Sequence, residues 1–361
     1  MELSKDKKLI IIQTAVPDYR KGFFKALRDN LGDNFELYSG SHYFEKSIQS
    51  DATIPHKKTK NTYLFNARFL IQFEVIKLIA SDNLLVLELN PRIISNWILL
   101  IGRKIVGKQT ILWGHAWPRQ GKDASTDTLR QLMRKLASAI VVYTNKQRLE
   151  LQERMPHKTI LAAPNALLNK SQMGATAGNP KHLIYVGRLT KSKKALFLAK
   201  AFSNTLDYIP NDVQLLIIGD GEEKAALETF IIENSLAQRI QLLGHISDES
   251  RLRKLYGTSY FSVSPGYVGL SITQSFGFGV PMIVSRDEDH SPEIEAVLDG
   301  ENAIFFETNS ELSFRESLLN IYNDTNFWLS KRDEIATFCA ENYSVEAMAQ
   351  VFCKLLKTYR T

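Results

Sequence analysis

The 361 residues are 44% apolar and 23% charged, a globular composition, and their number predicts two domains rather than one core. A formal charge of +6 hides an asymmetry: residues 1–170 hold 27 Lys/Arg against 15 Asp/Glu, and residues 171–361 hold 18 against 24. No uncharged apolar run reaches the roughly 18 residues a bilayer span needs, the opening Met1-Glu-Leu-Ser-Lys-Asp-Lys-Lys8 has neither the apolar segment nor the small-residue site expected of a secretory leader, and Cys339 and Cys353 lack histidines at metal-ligand spacing; a cytoplasmic protein without disulfide or metal is expected.

Strands and helices alternate in the manner that builds parallel sheets. Leu9–Gln13 is β-rich, residues 21–30 carry helical spacing through Phe23, Phe24 and Leu27, and residues 35–38 form the next strand. The spacing of Phe65, Phe69, Ile71, Val75 and Leu78 predicts a helix over residues 65–80. A strand over 84–89, a helix from Pro91 to Leu100, a strand over 109–113, a helix over 127–137 and strands over 139–143 and 159–163 follow. The small, polar stretch from Asn169 to Lys181 reads as a linker. A second alternation then runs through strands at 182–186, 214–218, 240–243 and 260–264, with helices over 195–204, 222–234 and 250–257 between them. A short helix from Ser271 leads to the strand Met282–Ser285, and Ser344 caps a closing helix over 345–359. The expected division is residues 1–170, a linker over 171–181, residues 182–343, and a helix over 344–361 that packs back towards the first domain.

Chemistry is expected where strands end. Tyr185-Val-Gly187-Arg188-Leu-Thr-Lys-Ser-Lys193-Lys194 delivers a guanidinium and an ammonium to one strand–helix junction, a pairing suited to a leaving diphosphate. Ser264-Pro-Gly266-Tyr-Val-Gly269-Leu270-Ser271-Ile-Thr-Gln274 turns on glycines and opens a short helix whose backbone N–H groups suit phosphate. Ile217-Ile-Gly219-Asp-Gly221 and Leu242-Leu-Gly-His245 are strand ends without dinucleotide-fingerprint spacing; the glycines read first as structural. In the first half, Leu112-Trp-Gly-His115 ends a strand, and the loop holding Pro17, Asp18, Tyr19 and Arg20 follows the first one. The basic clusters Lys57-Lys58-Thr-Lys60, Arg103-Lys104, Lys108 and Arg134-Lys135 point to an anionic partner, and their lack of interleaved aromatics argues against nucleic acid.

These segments resemble family 4 retaining glycosyltransferases, enzymes of the GT-B fold: α/β, with two Rossmann-like doubly wound domains facing each other across a cleft. The resemblance implies an N-terminal acceptor domain and a C-terminal nucleotide-sugar domain. Transfer from a UDP- or GDP-linked sugar to a glycan or polyprenyl-diphosphate-linked acceptor is implied, without cofactor or metal, in bacterial surface polysaccharide assembly at the inner membrane face. By the same resemblance Arg188 and Lys193 hold the donor phosphates and His115 binds the sugar. Gly187, Gly219, His245, Gly269, Leu270, Ser271 and Gln274 line the donor site, and Tyr19 and Arg20 meet the acceptor. Two departures stand out: the family's paired glutamates fall on Gly266 and Gln274, and Lys194 replaces a usual glycine. A nucleotide-sugar 2-epimerase of the same fold, and a non-catalytic donor-binding protein or membrane-docking scaffold, are the alternatives.

Overall fold

The computed structural model describes residues 7–45, 48–118 and 120–359. It divides into two compact units: unit 1 comprises the residues up to Leu167 and those from Val345 onward, and unit 2 comprises Leu168–Ser344.

Unit 1 begins with β1 (Leu9–Gln13), α1 (Lys21–Leu31), β2 (Phe35–Ser39) and β3 (Lys57–Lys58). A two-stranded hairpin, β4 (Thr62–Leu64) and β5 (Phe69–Ile71), precedes β6 (Leu84–Glu88), α2 (Ile94–Ile105), β7 (Thr110–Trp113), α3 (Asp127–Leu136), β8 (Ala139–Val142), α4 (Asn145–Arg154) and β9 (Thr159–Ala162). Seven strands pair in parallel in the order β3-β2-β1-β6-β7-β8-β9. Strands buried on both faces must be apolar throughout, which is why Leu84-Leu-Val-Leu87 and Ala139-Ile-Val-Val142 lack alternation.

Unit 2 runs β10 (His182–Val186), α5 (Ala195–Ser203), β11 (Leu215–Ile218), α6 (Lys224–Glu233), β12 (Ile240–Gly244), α7 (Glu249–Gly257), β13 (Ser259–Ser264), α8 (Ser271–Gly277), β14 (Met282–Ser285) and β15 (Ala303–Phe306). Helices α9 (Glu311–Asn323), α10 (Thr325–Ser330) and α11 (Arg332–Tyr343) complete it. Its parallel order is β12-β11-β10-β13-β14-β15, the doubly wound Rossmann order. The last helix, α12 (Val345–Thr358), belongs to unit 1, where Phe352 meets Phe23 at 5.3 Å and Trp113 at 5.0 Å between ring centroids. In each sheet the strand order reverses once, at β1/β6 and at β10/β13, and such switch points open a crevice beyond the strand carboxyl ends.

Several elements differ from the sequence reading. The helix expected over residues 65–80 is the β4–β5 hairpin followed by a 3-10 turn over Phe73–Leu78. Phe65, Asn66 and Ala67 all have φ between 52° and 59°, and Leu70 donates its N–H to Arg92 O at 2.9 Å, so a tertiary partner takes the backbone out of a helix its apolar spacing allowed. The helix expected from Pro91 starts at Ile94 because Ile93 still bridges Leu70. Lys193 closes a 3-10 turn, and α5 begins two residues later. The α4 helix, capped by Thr144 accepting from Gln147 N–H at 3.0 Å, the edge strand β15 and helices α9–α11 were not anticipated.

Candidate active site

In unit 2 the switch point assembles around two backbone approaches. Gly187 and Arg188 leave β10, while Pro265, Gly266 and Tyr267 leave the neighbouring β13. Tyr267 N–H donates to Ser192 O at 2.8 Å, locking the two loops together. A Cβ on Gly266 would lie 2.4 Å from Ser192 O and 3.0 Å from the Lys193 carbonyl carbon, so this position admits no side chain. The resemblance places a glutamate there; here backbone fills the space. Lys193 Nζ sits 4.5 Å from the centroid of the Tyr267 ring. Its pKa is lowered to about 8, first by burial and then by the Arg188 guanidinium, with Glu293 opposing. Arg188 itself is exposed. Lys193 therefore lies beside the Gly266–Tyr267 turn within electrostatic reach of Arg188, and neither cation is in an ion pair among the described residues.

Lys194 lies in the left-handed region (φ 55°, ψ 36°), which explains why a glycine is usual there. Its ammonium bonds Glu288 and, at 2.7 Å, Asn309 Oδ1, tying the Asp287–Glu293 segment to the same loop. That segment is pinned again where His290 Nδ1 accepts from Val268 N–H at 3.2 Å and Ser291 N–H donates to Val268 O at 2.9 Å. Gly269, Leu270 and Ser271 follow directly and lead into α8, and Gln274 on that helix accepts from the Tyr256 hydroxyl at 3.4 Å. Gly219 and Gly221 (φ 149° and 153°) are close-approach positions: a Cβ would stand 1.9 Å from Gly187 O and 2.5 Å from Leu189 O. They hold the Gly187–Leu189 backbone in place. His245 is exposed directly after β12, where Gly244 O accepts the Gly219 N–H at 2.9 Å.

In unit 1 the β1/β6 switch point holds a cavity of about 360 Å³. His115, Tyr19 and Arg20 all line it, joined by Glu88, Arg92, Arg130 and Tyr143. Arg20 is buried, stacked 4.7 Å over the Trp113 ring, with one guanidinium nitrogen 3.5 Å from the Tyr143 hydroxyl. Arg130 donates to Leu89 O at 2.9 Å and His115 O at 3.2 Å. The His115 ring packs edge-on to Tyr143, 4.7 Å between centroids, and faces solvent on its cavity side. Desolvation first, then the charges of Arg130 and Arg20, lower its pKa to about 4; the ring is a neutral donor or acceptor at pH 7. Glu88, the last residue of β6, lines the cavity and accepts the Thr14 N–H; burial raises its pKa to about 7, against Thr14 and Arg20. The sequence reading missed it. Its signal was a single acid terminating an otherwise apolar parallel strand.

Two of the basic clusters lose their arginine to the interior. Arg103 is fully buried and donates to Leu78 O, Asn83 O and Gln109 O at 2.7–2.8 Å. Arg134 is buried against Asp127 at 2.5 Å. Lys108 pairs with Asp82, and Lys57 with Glu36 at 2.7 Å.

Two Rossmann-like units of this order make the fold GT-B, the architecture of glycosyltransferases. Residues 180–324 match the family Glycosyl transferases group 1. Alpha-monoglucosyldiacylglycerol synthase of Acholeplasma laidlawii is 30% identical over 158 residues, 43% of this chain and 38% of that enzyme, so the chain spans well under half of that relative. Among solved structures, Anabaena HepE in complex with UDP has a TM-score of 0.72 at 14% identity, covering 98% of this chain and 100% of the other. The lipopolysaccharide outer core galactosyltransferase WaaB, in its apo form, has a TM-score of 0.68 at 15% identity over 98% and 100%. At such identities the likeness is one of fold.

Proposed function

We propose that the protein is a retaining glycosyltransferase that moves a sugar from a nucleoside-diphosphate sugar to a hydroxyl of a glycan or lipid-linked glycan, in surface polysaccharide assembly. The observation that carries this reading is Lys193 held over the Tyr267 ring beside Gly266, within electrostatic reach of Arg188, inside the segment that matches the glycosyltransferase family. The bond between the sugar's C1 and the diphosphate oxygen breaks, and the negative charge growing on the diphosphate is met by the two cations. The acceptor hydroxyl bonds to C1 on the face the diphosphate leaves, and its proton passes to a phosphate oxygen. Backbone N–H groups from Gly269 to Ser271 address the phosphates, and Gln274 supplies an uncharged hydrogen-bonding group for the nucleotide. Neutral His115 and the unit 1 cavity, with Tyr19 and Arg20, serve the sugar and the acceptor.

The donor is UDP- or GDP-linked, the HepE neighbour having been solved with UDP, and no metal is needed because the two cations supply the charge. Thermal stabilisation by a panel of nucleotides and nucleotide sugars tests the site, since a ligand bound only to the folded state raises its apparent stability. Arg188→Ala should abolish that stabilisation; an unchanged shift refutes the phosphate role. Binding without turnover is the second reading, favoured by the absence of carboxylates at Gly266 and Gln274. Product release from the bound donor separates the two.

A further inference from the structure

We infer that the β4–β5 hairpin of unit 1 is a lipid-contacting lip that seats the protein on an anionic bilayer beside its cavity. Three phenylalanines within nine residues are presented to solvent: Phe65 is 74% exposed, Phe69 40% and Phe73 60%. Isolated exposed hydrophobics are ordinary, whereas a contiguous apolar patch marks an interaction surface. Helix α2 packs against β5 and the turn that opens with Phe73, so the three rings stand at the edge of a packed element.

The tip is built rather than loose. Phe65, Asn66 and Ala67 hold three consecutive left-handed conformations, unfavourable for a bulky aromatic residue, and the Phe65 ring packs edge-on to Phe69 at 6.3 Å. Arg92 clamps it: Nη2 donates to Ala67 O at 2.6 Å, Nε to Arg68 O at 2.9 Å, and the guanidinium lies 3.8 Å over the Phe44 ring. Arg92 also lines the cavity, so the aromatic tip and the cavity share a wall. A held, protruding aromatic tip has no groove to receive a protein strand or helix; it suits a soft apolar phase.

Charge selects which phase. Lys58 and Lys60 precede the hairpin, Arg68 lies within it and Lys77 follows it, all exposed and none in an ion pair among the described residues, and Glu74, accepting from the Lys60 N–H, is the one acid between positions 58 and 77. Basic side chains around exposed aromatics are the chemistry of an anionic lipid interface, where each cation near the surface adds to binding and salt weakens it. The inference extends the proposed reading by giving its acceptor an amphiphilic character: sugar-accepting head in the cavity, hydrocarbon in the bilayer against the hairpin.

Co-sedimentation with vesicles of phosphatidylcholine containing phosphatidylglycerol tests it without donor or turnover, so its failure is distinguishable from failure of the transferase reading. The intact protein should partition to these vesicles, release with rising salt, and bind pure phosphatidylcholine weakly. Phe65→Ser with Phe69→Ser should cut partitioning at least tenfold while leaving the melting temperature and nucleotide-induced stabilisation in place, and Arg68→Glu with Lys77→Glu should do the same through the salt-sensitive part. Wild-type protein that ignores anionic vesicles overturns the inference, as do serine variants that bind equally well, or a protein dimer that the serine variants dissolve.

Discussion

Replacing Gly266 with alanine tests the close approach on which the unit 2 site is built. The added Cβ would stand 2.4 Å from Ser192 O and 3.1 Å from Lys193 O, both backbone atoms that cannot rotate away. The loop from Thr190 to Lys194 must therefore withdraw by close to an ångström, stretching the 2.8 Å Tyr267–Ser192 hydrogen bond and carrying the Lys193 ammonium off the Tyr267 ring. Overpacking of this kind costs about 1–3 kcal/mol of stability. A charge-assisted contact to phosphate that no longer closes is worth about 1.5–3 kcal/mol, or roughly 10- to 150-fold in affinity. Titration calorimetry with UDP and GDP, beside urea unfolding, reads both effects. Gly266→Glu should fail in the same way and restore nothing, although it rewrites the position towards the family resemblance. An alanine variant with unaltered unfolding midpoint and unaltered nucleotide affinity refutes the argument.

Three further outcomes are expected. Lys193, with its pKa lowered to about 8, is protonated below that pH and neutral above it, so affinity for a nucleoside diphosphate should weaken as pH rises through 8, approaching tenfold per unit; Lys193→Arg should flatten the profile, and an affinity constant from pH 7 to 9.5 contradicts it. Glu88 has a raised pKa, so the folded state holds its proton more tightly than the unfolded chain, and stability falls as pH rises from about 4.5 to about 7. Glu88→Gln keeps an acceptor for the Thr14 N–H and should remove that slope, on the order of 2 kcal/mol in urea unfolding at pH 5 against pH 8. Arg103→Met should cost about 3–5 kcal/mol, because a buried guanidinium bound to five backbone carbonyls and the Thr110 hydroxyl leaves them without donors; a midpoint within experimental error of wild type opposes it.

What the sequence made legible is what local chemistry determines. Uninterrupted apolar runs such as Leu9-Ile-Ile-Ile12 and Leu215–Ile218 can serve only as two-face-buried strands, and they alternate with helices closely enough to give both sheets. The placement of Arg188 and Lys193 just past the carboxyl end of β10 was legible because the apolar run stops at Val186 and Gly187 begins the turn. Tertiary contacts hid the rest. The helical spacing from Phe65 to Leu78 gives way to pairing with Arg92 and Ile93, residues more than twenty positions away. Arg103 reads as a surface charge until Leu78, Asn83 and Gln109 turn their carbonyls inward. Glu88 is one acid among 39 acidic residues until β1 and β7 close around it.

The return of α12 to unit 1 carries a consequence for biosynthesis. Phe23, Phe24 and Trp113 emerge from the ribosome some 230 residues or more before Met348 and Phe352 arrive to cover them. The earlier-made unit is thus the later one to be sealed, while everything between Leu168 and Ser344 can collapse first on its own sheet. During that interval an apolar face stands uncovered, a natural foothold for chaperones. Deleting residues 345–358 should fix the nascent chain in that half-clad condition.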